Sequence, residues 1–142
     1  RFIVLENQAL NTLGTALKNA AIAQGETDEK TLTKAENMPL RAPMIIACVT
    51  DFKSHDKVPH WEQIAASSCA VQNLLLALTA QGFATVWRTG PLANAPAIKQ
   101  LFNVTADNQV IAFVYVGTAV STIPPRSKID VTPFIVYDNG TN

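Results

Sequence analysis

One arginine stands alone in this chain. From Gln63 through Trp87 there is no Asp, Glu, Lys or Arg, and between Glu62 and Lys99 the only charged side chain is Arg88, in the run Trp87-Arg88-Thr89-Gly90. A guanidinium carries a permanent charge and a planar fork of donors, which suits it to holding an anion. An uncharged helical stretch that leads into a strand ending on such a group implies a buried core delivering a cation to a site.

Other groups able to do chemistry are less well placed. His55 and His60 lie in or beside a charged loop, with no Cys or further His at zinc spacing, so no metal site is expected. Ser67-Ser68-Cys69 falls inside an apolar helical pattern without a neighbouring base, where small side chains allow close helix packing. Glu62 fits a first-turn acid that favours the helix dipole. Neither GxGxxG, GxxxxGK[ST] nor GxSxG occurs, which removes the usual nucleotide-loop and hydrolase-elbow signatures. No side chain reads as a catalyst. An enzyme built on this chain would leave the reaction to a cofactor.

The elements that must position Arg88 follow from periodicity. Phe2 to Glu6 reads as a short strand. Leu10, Leu13, Ala16, Leu17, Ala20 and Ala21 recur at helical spacing, with Asn7 as N-cap and Gly25 as stop. Asp28 to Glu36 reads as a short charged helix, and Asn37 to Pro43 as a loop with two prolines. Met44 to Val49 is an unbroken apolar run, expected of a strand covered on both faces. Thr50 to Pro59 is an exposed loop. The helix from about Trp61 to Gln81 is apolar or small around most of its circumference, so it should be buried on more than one side. In a chain of 142 residues that implies a second subunit over part of it. Ala84 to Arg88 is a strand, Ala95 to Phe102 a short helix, and Gln109 to Gly117 a central strand. Beyond Thr122, Pro124, Pro125 and Pro133 force an extended, wrapping tail. Strands and helices alternate without repeat or second domain, so the class is α/β or α+β.

Eleven basic against eleven acidic residues, with 48% hydrophobic and 15% charged, give no reason to expect nucleic acid or an anionic membrane as partner. Gln63, Ser67, Ser68, Gln72, Asn73, Thr79 and Gln81 interrupt the uncharged stretch, which argues against a membrane span. Cys48 and Cys69 lie in apolar contexts and read as buried, reduced thiols, consistent with the cytoplasm.

The run VPHWEQIAASSCAVQNLLLALTAQGFATVWRTG, the later strand VIAFVYVGTA, the opening RFIVLE, the Arg41-Ala42-Pro43 loop and the tail Asp130-Val131-Thr132-Pro133-Phe134 resemble the FMN-dependent nitroreductase family, specifically its small bacterial NAD(P)H nitroreductases. The likeness covers essentially the whole chain and is most specific at AQGF and WRTG. It implies an α+β domain, a central mixed sheet flanked by helices, and a homodimer with FMN at the subunit interface. NAD(P)H would pass hydride to the flavin, which would then reduce a nitroaromatic, quinone or similar small acceptor. Trp87, Arg88 and Thr89 match the flavin-contacting segment of those proteins, and Ala77, Leu78, Thr79, Ala80, Gln81 and Gly82 match the segment associated with NAD(P). Arg126 and Lys128 stand in sequence where the wider family places phosphate-holding cations, with solvated tail charges as the equal alternative. The family's Arg-rich N-terminal helix and the loop after it have no counterpart here, because the chain opens on Arg1-Phe2-Ile3. Residues 1–142 are therefore expected to form a single domain lacking that part of the cofactor site, and the alternative is a non-catalytic dimeric domain unable to hold FMN.

Overall fold

The computed structural model describes residues 1–121, 124, 127–138 and 140. Its order is β1 (Phe2–Glu6), α1 (Gln8–Ala23), α2 (Glu29–Asn37), β2 (Met44–Thr50), α3 (His60–Ala80), β3 (Ala84–Arg88), α4 (Pro96–Leu101) and β4 (Gln109–Gly117). Short 3-10 turns cover Met38–Arg41, Pro91–Asn94 and Thr132–Phe134.

The four strands form one sheet in the order β1-β2-β4-β3, and every neighbouring pair is antiparallel. The expected mixed sheet is corrected on this point. β2, α3 and β3 make a crossover whose two strands run the same way. β4 occupies the slot between them and opposes both, so among the described residues no two strands pair in parallel.

Alternation along β2 and β4 explains their unbroken apolar sequences, since each strand feeds two cores. Ile45, Ala47, Val49, Val110 and Phe113 pack with Leu10, Leu13 and Leu17 of α1 and Ile98 of α4. Ile46, Cys48, Ala112, Val114 and Val116 face the other way and meet Val71, with Leu74, Leu75 and Leu78 of α3 around them. Asn7 does not cap α1 through its side chain; it takes φ 50° in the tight reversal after β1. Asp28 is the side-chain cap that forms, accepting from the Thr31 amide at 2.9 Å, and that bond holds its carboxyl below the usual range.

Only one stripe of α3 is covered within the chain. Val71 is fully buried, whereas Trp61, Cys69, Ala70, Asn73, Leu76 and Ala77 are exposed. Cys48 is buried as expected, but Cys69 is not, because it lies on the side of α3 turned from the sheet. Of the tail, the described part is exposed, including Ile129, Phe134, Val136 and Tyr137.

Candidate functional site

β3 is an edge strand, and its pairing decides where each side chain of the Trp87-Arg88-Thr89-Gly90 run points. Arg88 lies opposite Phe113, a member of the α1-side core, whereas Trp87 lies opposite Val114, a member of the α3-side core. The sheet thus separates the two neighbours onto opposite faces.

The chain leaving β3 is fastened to an irregularity in β4. Register runs from Cys48↔Ala112 to Val49↔Val110, leaving Ile111 as the extra residue of a bulge. Its carbonyl accepts the Thr89 hydroxyl at 2.8 Å and the Trp87 indole N–H at 3.3 Å. One residue earlier, Asn94 behaves as a substitute strand. Its Oδ1 accepts the Val110 amide at 2.8 Å and its Nδ2 donates to the Val110 carbonyl at 3.0 Å. Gly90, at φ 106°, makes the turn between these two attachments, a conformation a side chain would strain. The segment from Trp87 to Asn94 is therefore held by hydrogen bonds at both ends of a glycine corner.

That corner forms one wall of a cavity of about 460 Å³. Arg88, Thr89, Gly90 and Leu92 line it on one side, Phe113 and Tyr115 form its floor, and Leu17, Met38 and Arg41 close it. No acidic residue is among the lining groups, and among the described residues neither Arg41 nor Arg88 is in a salt bridge. Burial raises the Tyr115 phenol above its ordinary pKa, and the charges of Arg41 and Arg88 partly offset that rise. Two unpaired guanidinium groups and a hydroxyl around an apolar hollow can receive an anion on an apolar body.

The structure brings Arg88 and Thr89 together at this cavity, although the Thr89 hydroxyl is committed to Ile111. Trp87 is not a lining residue. Ala77 to Gly82 are elsewhere: they end α3 and turn into the opposite end of β3 from Arg88. The loop from Thr50 to Pro59 is likewise absent from the lining. It is folded on itself by Gln63, which bonds the Lys53 amide and carbonyl and the Val58 carbonyl, while His60 stacks on Phe52 at 4.1 Å. Lys128 is exposed on the tail, and Arg126 lies outside the described residues. Arg41, Met38 and Tyr115 were not singled out as site residues from sequence. The Arg41-Ala42-Pro43 loop was a visible signal, but nothing local says that it faces Arg88.

An α+β domain with a cation-lined cavity beside a glycine corner at a strand end has a site whose chemistry suits a small anionic molecule. The comparisons sharpen that class. Residues 1–118 match the model of the nitroreductase family. The chain is 36% identical over 137 residues to Putative NAD(P)H nitroreductase YdjA of Escherichia coli K12, covering 96% of this chain and 74% of that protein. It is 41% identical over 138 residues to a Putative NAD(P)H nitroreductase of Haemophilus influenzae, with the same coverage of 96% and 74%. A structure described as a putative nitroreductase from Desulfovibrio desulfuricans, in complex with FMN, shares the fold with a TM-score of 0.64 at 18% identity, over 97% of this chain and 71% of that one. The chain belongs to the nitroreductase family, a family of oxidoreductases.

Proposed function

We propose that this chain acts in an FMN-dependent NAD(P)H oxidoreductase, a nitroreductase of the cytoplasm whose electron acceptors are nitroaromatics, quinones or similar small conjugated molecules. The observation that carries the reading is the acid-free cavity beside Arg88 and Gly90, in the segment that resembles the flavin contact of the family. Its volume, about 460 Å³, falls within the usual range for small-molecule sites. Its chemistry also fits, since FMN combines an apolar ring system with a phosphate, and the cavity combines apolar walls with unpaired cations. When bound, FMN supplies reversible two-electron chemistry between a nicotinamide donor and an acceptor.

The protein's own contribution is orientation and charge. Arg88 offsets negative charge on the bound cofactor, and it does so from a fixed strand end, so little reorganisation accompanies the change in charge. Thr89 holds the corner through Ile111 and Asn94 holds it through Val110, which leaves the backbone of Thr89 and Gly90 available to the ligand. The α1-side floor of Phe113 and the wall of Met38 and Leu92 keep water from the apolar part.

The outer face of α3, uncharged from Gln63 onward, supports a homodimer, because exposed Trp61, Ala70, Leu76 and Ala77 are costly to leave in water. The segment from Ala77 to Gly82 belongs to that helix, and its reading as an NAD(P)H contact depends on the second subunit.

The test is direct. Purified protein given FMN should turn yellow, retain flavin through a desalting column, and lose colour anaerobically with NADH or NADPH. Steady-state rates with two substrates should follow a ping-pong pattern. A folded protein that binds no FMN at micromolar concentration would instead support the reading as a non-catalytic dimeric domain.

A further inference from the structure

We propose that Arg41 is a second anion-binding residue, and that Arg41, Arg88 and Tyr115 together clasp one oxyanion, a phosphate monoester or a carboxylate, carried on a flat apolar body. Arg41 ends the turn Met38–Arg41 and is set between two fixed prolines. Pro39 is fully buried, and Pro43 lies so close to β4 that a Cβ on Gly117 would come within 3.3 Å of its ring. The backbone carrying Arg41 is thereby pinned against the sheet two residues from Tyr115, while its side chain stays exposed.

The arginines approach the cavity from separate elements, one from the end of β3 and one from the turn before β2. Tyr115 lines the same cavity as both arginines, and both charges reach its hydroxyl. Like charges gathered around one hollow repel each other, and an arginine with a purely structural task would be met by a carboxylate. Here the lining offers none. Among the other lining residues, Leu17, Met38, Leu92 and Phe113 present only apolar side chains. An oxyanion between the guanidinium groups would relieve their repulsion, accept from both forks, and accept a further bond from the phenol.

The oxyanion has two possible sources, the phosphate of FMN or a carboxylate on a separate ligand. The first source rests on the flavin reading above, and the second does not. Two ligand pairs separate them in the full, flavin-free chain: FMN with riboflavin, which differ by the phosphate, and 4-nitrobenzoate with nitrobenzene, which differ by the carboxylate. Binding is read by calorimetry or tryptophan fluorescence in wild type, Arg41→Gln, Arg41→Lys and Tyr115→Phe, with melting curves to show that each variant is folded.

Loss of a charge-assisted bond predicts that Arg41→Gln weakens the charged member of at least one pair by about tenfold, with Arg41→Lys recovering part of the loss. The neutral member should change less than about twofold, and the difference should shrink as salt screens it. An effect in the flavin pair assigns the oxyanion to the cofactor; an effect confined to the benzoate pair assigns it to another ligand. The proposal is overturned if Arg41→Gln leaves both charged ligands unaffected, or weakens charged and neutral members alike, or if wild type binds neither charged ligand. Should FMN alone fail to bind wild type, the flavin reading falls and the benzoate pair still decides for Arg41.

Discussion

Gly14 provides a case in which two physical rules give opposite signs. It lies in the middle of α1, where replacing glycine by alanine ordinarily stabilises a helix by about 1 kcal/mol. Here, however, a Cβ would stand 2.1 Å from the carbonyl oxygen of Glu36 and 3.1 Å from its carbon. The obstacle is backbone of α2 rather than the end of a flexible side chain, so the two helices must separate by over 1 Å to reach ordinary contact. Separation would loosen the burial of Leu13 and Leu17 on one helix and Leu32 and Ala35 on the other. Overpacking of this kind costs about 1–3 kcal/mol, and a backbone clash belongs at or above the upper end. After subtracting the propensity gain, Gly14→Ala should destabilise by roughly 2 kcal/mol or more. For a chain of this size that lowers the melting temperature by roughly 4–8 °C.

The assay is thermal unfolding by circular dichroism, paired with a urea titration. The urea midpoint should fall while the slope stays constant, since the change is in the native state's packing and not in the surface exposed on unfolding. A Gly14→Ala variant that melts at or above the wild-type temperature would refute the reasoning, because propensity would then have outweighed the clash.

Three further outcomes are expected. Asn94→Ala removes both bonds to Val110, at 2.8 and 3.0 Å, and should cost about 1–3 kcal/mol in stability together with weaker flavin retention; an unchanged urea midpoint would show that water replaces the amide without loss. Leu76→Glu alters a side chain 59% exposed within the single chain, so helical content should persist while light scattering shows a monomer in place of a dimer, and a surviving dimer would count against the α3 interface. Burial pushes the Cys48 thiol up to about 11 from an ordinary 9.0, so the folded state retains a proton that the unfolded state releases first. Stability should then fall as pH rises from about 9 to about 11, with the raised Tyr115 phenol acting in the same sense, and Cys48→Ala should make the midpoint's slope against pH shallower.

The elements were legible wherever local pattern and tertiary demand agreed. β1, β3 and β4 fall where their apolar runs end, and α1 buries the leucines its periodicity marks. The family was legible for a different reason. Loops that carry a binding site are constrained by their ligand, so a segment such as Trp87-Arg88-Thr89-Gly90, if it meets the flavin as proposed, carries more information than a strand, which many apolar residues could supply. What could not be read were relations between distant segments. β4 entering between β2 and β3 turned the expected mixed sheet into an antiparallel one, although every strand is visible in the sequence. Cys69 belongs to the same class, since an apolar neighbourhood along a helix does not say which of its faces the chain itself covers.

The site divides along the same line. Arg88 was visible because it is isolated along the chain, with no other charge between Glu62 and Lys99. Arg41 was invisible as a ligand because its isolation is spatial: it lacks an acid partner only in the setting of a cavity assembled from α1, two short turns and two strands. The bulge at Ile111 sharpens the point. QVIAFVYVG reads as one continuous strand, yet the register slip frees a carbonyl there, and that carbonyl fixes Thr89 and through it the glycine corner. The hydroxyl of Thr89, a residue that the resemblance puts in the flavin-contacting segment, is thereby occupied by the protein, so Thr89→Val should disturb a bound flavin only as far as the corner moves. Preorganisation of Arg88 is then a property of β4 as much as of β3. Residues outside the cavity lining, Asn94 and Ile111, thus set how firmly the one legible arginine is held at the cavity.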